Sequence, residues 1–186
     1  TTSATTTPSR PRVVLTFDDG HTGWHEHLLP IVERERLPVT LYVATSHIET
    51  GRPYWFDRVM NALQVRAPVA VDLGRFGLGS RRFGDGRGFE AWMAISLLLE
   101  DMKACDEATR DEAVDAIEHA MQGAPQRRFE PLRPMSVDAL RAVAQATPLV
   151  TIAAHSDVLR LLDRIPFEEA RASLGRCRDK LVAWTA

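Results

Sequence analysis

The stretch RVVLTFDDGH, Arg12 to His21, sets two carboxylates side by side just after a short apolar run. Neighbouring residues at a strand end project in different directions, so Asp18 and Asp19 can take separate tasks. One can ligate a cation while the other faces a water bound to it. Gly20 permits a tight turn and leaves room above the acids. A second apolar run, PLVTIAAH, ends at His155 and can bring a ring nitrogen from another strand. Mixed histidine and aspartate ligation suits zinc and other divalent transition metals. Such a cation would keep Asp19 ionised and acidify its water, and Asp18 would accept the proton as general base. The plainer alternatives are a turn for Asp-Asp-Gly and a hydrogen-bonded core residue for His155.

The elements that must position these residues alternate between strand and helix. VVLTF, residues 13–17, is a continuous apolar run that predicts a strand covered on both faces. Leu28, Ile31 and Val32 have helical spacing up to about Arg36, with Pro30 required near the helix start. A second strand follows over 39–44, which completes a right-handed βαβ unit. PYWFDRVMNAL predicts a helix with Trp55, Val59, Met60 and Leu63 on one face. The glycine-rich segment VAVDLGRFGLGSRRFGDGRG predicts a surface hairpin or excursion, and its glycine spacing fits no phosphate-binding loop.

Two helices follow, over 89–103 and 107–121. The second turns Val114, Ile117 and Met121 inward and Asp111, Glu112, Asp115 and Glu118 to solvent. Ser136 is placed to cap a helix that buries Leu140, Val143 and Ala144. The last helix starts near Pro166, with Phe167, Ala170, Leu174, Cys177, Leu181 and Trp184 as a core-packing stripe. The class is therefore α/β with at least three parallel strands. Ligands of such folds gather at the carboxyl ends of strands, where Asp18, Asp19 and His155 all stand.

The chain has 186 residues, 45% of them hydrophobic, enough for one domain with a sizeable core. A net charge of −2 gives no electrostatic case for nucleic acid or an acidic membrane surface. No apolar run approaches the roughly 20 residues of a membrane span. TTSATTTPSRP, residues 1–11, reads as a flexible leader, with the domain running from 12 to 186. Cys105 and Cys177 are too few for a disulfide framework or a cysteine-rich zinc site, and read as ordinary part-buried thiols. A phosphatase of the haloacid dehalogenase type would need Asp-x-Asp after the first strand, and Phe17 stands at the first of those places.

VVLTFDDG resembles the first motif of the polysaccharide deacetylases, which include chitin and peptidoglycan deacetylases. LLPIVERERLPVTLYVAT resembles the helix and second strand that follow it, and PYWFDRVMNAL a segment of one subgroup. RPMSVDALRAVAQ and then TIAAHS resemble the approach to the second motif, and RIPFEEARASLGRCRDKL the helix beyond it. The resemblance runs in order over residues 12–186. It implies a distorted (β/α) barrel, here a partial one lacking the C-terminal strands. It also implies a divalent metal, commonly zinc, and hydrolysis of acetyl groups from N-acetylated carbohydrate.

Carried over by position, Asp18 matches the family's catalytic base and Asp19 its metal-binding aspartate. His155 matches the first metal histidine of H-[ST]-x-x-H, and Ser156 its hydroxyl residue. The second histidine of that motif falls on Leu159, which cannot ligate a metal. His21, His25, His27 and Asp157 are the stand-ins that sequence offers. The family's later motifs, an Arg-x-x-x-x-Pro-Tyr strand and a Leu-x-His segment, have no counterpart in this sequence. His47 and His119 do not match the second of these, and Glu118–His119 reads as a solvated helix face. An incomplete barrel would expose an apolar edge and favour self-association. Two functions remain open: a metal-dependent carbohydrate N-deacetylase, or an inactive relative that binds a glycan or a partner without turnover.

Overall fold

Valine, threonine and leucine alternate through VTLYV, and this segment forms the central strand of a parallel sheet. The computed structural model describes residues 13–84 and 88–185. The expected leader over 1–11 lies outside them. The chain divides into two compact units, one formed by Thr1–Ser46 with Val137–Ala186 and the other by His47–Ser136.

In the first unit the strands are β1 (Leu15–Phe17), β2 (Val39–Val43) and β5 (Val150–Ala154). All pairing is parallel, in the order β1-β2-β5, with Leu15 opposite Val39 and Val39 opposite Val150. Val39, Leu41 and Val43 of β2 are buried. Between β1 and β2 a π-helical turn, Trp24–Leu28, runs into α1 (Leu29–Glu35). Pro30 sits in the first turn, where its missing N–H costs no helical bond. Arg36 ends the helix in a left-handed conformation, φ 54°. Helix α6 (Val137–Ala146) precedes β5 and α7 (Phe167–Thr185) follows it, and both pack on β5 and on each other. Leu140, Val143, Cys177 and Leu181 are buried there.

Three expectations change. The first strand was expected over 13–17, covered on both faces. It is instead Leu15–Phe17, which among the described residues is an edge strand paired with β2 alone, and Val13 and Val14 are 80% and 78% exposed. Val13 and Val14 stand before the first residue that pairs with β2, outside the sheet. Ile31 is exposed, while Leu29 and Val32 face the core. The buried face of α7 is Ala170, Ser173, Cys177 and Leu181, with Phe167 and Leu174 exposed. Leu174 stands about 100° round the helix from Ser173, so a small polar residue takes the inward place. The α/β class is as expected. Among the described residues the parallel sheet stays open at three strands, and no closed barrel is present.

The second unit contains α3 (Trp55–Ala62), β3 (Val69–Asp72), β4 (Ser80–Phe83), α4 (Phe89–Lys103) and α5 (Glu107–Ala120). Helix α2 (Thr45–Thr50) leads the chain into it. β3 and β4 form the expected antiparallel hairpin, with Val69 opposite Phe83. It is not a surface excursion, because Val71, Leu73, Phe76, Leu78 and Phe83 join the core of Val59, Leu98, Met102, Val114 and Ile117. Asp106 caps α5, its carboxylate accepting from the Thr109 N–H at 2.8 Å. The acidic face of α5 is only partly solvated. Arg58 of α3 donates to Glu118 at 2.6 Å and to Asp115 at 2.7 Å. His119 is exposed, as expected. His47 stacks on Tyr54 with ring centroids 4.1 Å apart.

Candidate functional site

Strand β1 ends at Phe17, and the chain reverses at once. The Gly20 N–H donates to the Asp18 carbonyl at 2.9 Å. Asp19 and Gly20 both lie in the left-handed region, at φ 70° and 74°. Aspartate tolerates that region better than most residues, and glycine adopts it freely. The turn leaves Asp18 exposed and Asp19 partly covered. Asp-Asp-Gly is thus a turn and a display of acids at the same time.

At the other end, β2 and β5 stay tied beyond their last strand residues. The His155 N–H donates to Val43 O at 2.9 Å, the Thr45 N–H to Ser156 O at 3.4 Å, and the Ser46 N–H to Asp157 O at 2.8 Å. Ser156 is also left-handed, φ 67°, and its hydroxyl donates to Val158 O at 2.9 Å. The Tyr42 ring lies 6.4 Å from the His155 ring between centroids.

β2 separates β1 from β5, and two of the expected site residues meet across its end. Asp19 Oδ1 and His155 Nε2 are 3.6 Å apart, with side chains 21% and 36% exposed. A tetrahedral ion with ligands at about 2.1 Å sets two donors about 3.4 Å apart. Asp19 and His155 therefore fit two positions on one divalent cation, and an oxygen–nitrogen pair suits zinc. Among the described residues, no third histidine, cysteine, aspartate or glutamate places a donor atom within 4.8 Å of both. Asp18, His21, His25 and His27 do not complete such a set. Leu159 stands half-buried in the place of the expected second histidine.

Asp157, an expected stand-in ligand, is committed elsewhere. Its Oδ1 accepts from Thr45 Oγ1 at 2.9 Å and from Lys180 Nζ at 2.9 Å. Its Oδ2 accepts from Arg176 Nε at 3.0 Å, and its own N–H donates to Ser173 Oγ at 3.1 Å. Burial pushes this carboxyl up, but the hydrogen bonds from Lys180, Arg176 and Thr45 outweigh it and hold the group below the usual carboxylate range. A carboxylate spent on two cations and a hydroxyl has little left to offer a metal. Sequence reasoning missed Thr45, Ser173, Arg176 and Lys180. The last three stand on one side of α7 at spacings of three and four, a signal that an apolar stripe through the same helix hides.

Residues 5–70 match the family model for polysaccharide deacetylase, which supports a polysaccharide deacetylase family assignment. The matched stretch carries β1, the Asp-Asp-Gly turn and β2, and His155 lies beyond it. Comparison with curated proteins and with solved structures gave no match.

Proposed function

We propose that the chain is a metal-dependent hydrolase that removes N-acetyl groups from an amino-sugar polymer or glycan. The family match supports deacetylation of a glycan, and the observation that carries the finer reading is the 3.6 Å approach of Asp19 to His155. Asp19 and His155 would hold the cation, zinc by the chemistry of the donors. A cation bound there would supply carbonyl polarisation and an acidified water.

The remaining work falls to the chain's own groups. Asp18, exposed and one residue from a ligand, is the base that takes a proton from the attacking water. The partial burial of Asp19 and His155 lowers the local dielectric and strengthens both contacts. The Asp-Asp-Gly turn keeps base and ligand on separate bearings, so one carboxylate need not serve both roles.

A second reading has its own support. Leu159 in the place of a histidine, and the commitment of Asp157 to α7, favour a relative that binds a glycan without turnover. Acetate release from chitin oligomers and from peptidoglycan, with zinc supplied, separates the two. Turnover that falls about 10²- to 10⁴-fold in Asp18→Asn supports the hydrolase. Saturable glycan binding with no acetate from either substrate supports the second reading.

A further inference from the structure

The segment from His155 to Asp157 is tied through four of its backbone groups. His155 and Asp157 donate their N–H groups to Val43 O and Ser173 Oγ, and the carbonyls of Ser156 and Asp157 accept from Thr45 and Ser46. Within this short run Ser156 occupies the left-handed region, φ 67°. A non-glycine residue stays there only where its surroundings fix it. The strongest of the surrounding ties belong to the Asp157 carboxylate, which reaches Thr45, Arg176 and Lys180. The Asp157 side chain is nearly buried while Arg176 is half-exposed, so the cluster clamps the inner side of the loop onto α7. Removing the carboxylate leaves the backbone bonds to Val43, Thr45 and Ser46 and takes away the charged ties to α7 that flank the left-handed Ser156, next to His155.

The geometry points to Asp157 as a positioning residue, which through Arg176, Lys180 and Thr45 sets the His155 imidazole against Asp19. The inference rests on the reading of Asp19 and His155 as cation ligands. It makes Asp157 a support of the site and not a ligand in it. Groups that orient metal ligands from behind commonly cost about 10- to 100-fold in affinity when removed.

The test uses the full chain and two readouts. Zinc affinity is measured by titration calorimetry for the wild type, Asp157→Ala, Asp157→Asn and Leu140→Ala. Leu140 is fully buried in α6, which packs on β5 and α7 but carries no group bonded to the Asp157 carboxylate, so its variant is the control for a general loss of packing in the same unit. Asp157→Ala is expected to weaken zinc binding about 10- to 100-fold. Asp157→Asn keeps an oxygen for Thr45 and is expected to lose less, and Leu140→Ala to keep its affinity despite a lower Tm.

The second readout needs no metal. Asp19→Asn should move the His155 imidazole NMR signals in the otherwise wild-type chain, and that response should vanish in the Asp157→Ala background. Arg176→Met, which removes one half-exposed tie, gives a milder form of the same test should Asp157→Ala not fold. Unchanged zinc affinity together with an unchanged NMR response in the Asp157 variants would overturn the inference. So would an equal loss of zinc in Leu140→Ala. A wild type that binds no zinc would remove the cation reading, and the NMR response alone would then decide whether Asp157 positions His155.

Discussion

The two turns that meet at Asp19 and His155 are built alike in backbone and differently in support. Each follows a parallel strand, and each holds a non-glycine residue in the left-handed region, Asp19 at φ 70° and Ser156 at φ 67°. The first turn carries a short backbone bond from Gly20 to Asp18, and it leaves Asp18 in solvent. The second is tied to β2, to α2 and to α7, and its acid, Asp157, is nearly buried among a hydroxyl and two cations. Three acids thus stand close to one site with different fates. What decides the role of each is the set of donors that the fold brings to it. Sequence distance from the site does not.

The largest expected difference between the turns is in chemistry. Asp18→Asn should lower acetate release by about 10²- to 10⁴-fold with no change in Tm, because the structural use of Asp18 is its carbonyl. A lowered Tm would break the contrast by giving the first turn a stabilising carboxylate.

Asp157→Ala should destabilise the chain by about 1–3 kcal/mol, read by urea unfolding, since buried donors lose their acceptor. The estimate stays below that of a fully buried ion pair because Arg176 is half-exposed and screened by solvent. The same carboxylate gives a pH signature. Its folded pKa is depressed, so its stabilisation is complete above the unfolded value of about 3.9 and is lost as pH falls through the folded value. Wild-type unfolding free energy should therefore drop in that acid range more steeply than that of Asp157→Asn.

Gly20→Ala sharpens the first turn. At φ 74° an added Cβ meets the left-handed penalty, and a loss of about 1 kcal/mol is expected in thermal or urea unfolding. Smallest of all is Val13→Ser, expected within about 0.5 kcal/mol because Val13 is 80% exposed. A large loss there would mean that β1 is buried by something other than β2.

The same contrast explains what could be read from sequence. Strand β2, strand β5, helices α4 and α5 and the hairpin follow from local patterns of alternation, helical spacing and glycine placement. The pairing of Asp19 with His155 was legible because both end apolar runs, and parallel strands align their ends. The exposure of Val13 and Val14 is not legible, because an apolar run looks the same inside a sheet and just before it. The fate of Asp157 was not legible, since its partners lie 16 to 23 residues onward in α7 and 112 residues back at Thr45. Contacts of that range belong to tertiary structure, and the spacing of Ser173, Arg176 and Lys180 along α7 does not say which acid they meet.

The most direct test of the site is zinc titration calorimetry on the full chain, with Asp19→Ala and His155→Ala alongside the wild type. One-to-one binding at about micromolar affinity or tighter, lost in both variants, is the expected result, since removing either donor leaves a single strong ligand. No binding, or weak binding indifferent to both substitutions, would contradict the assignment of Asp19 and His155 as a cation site.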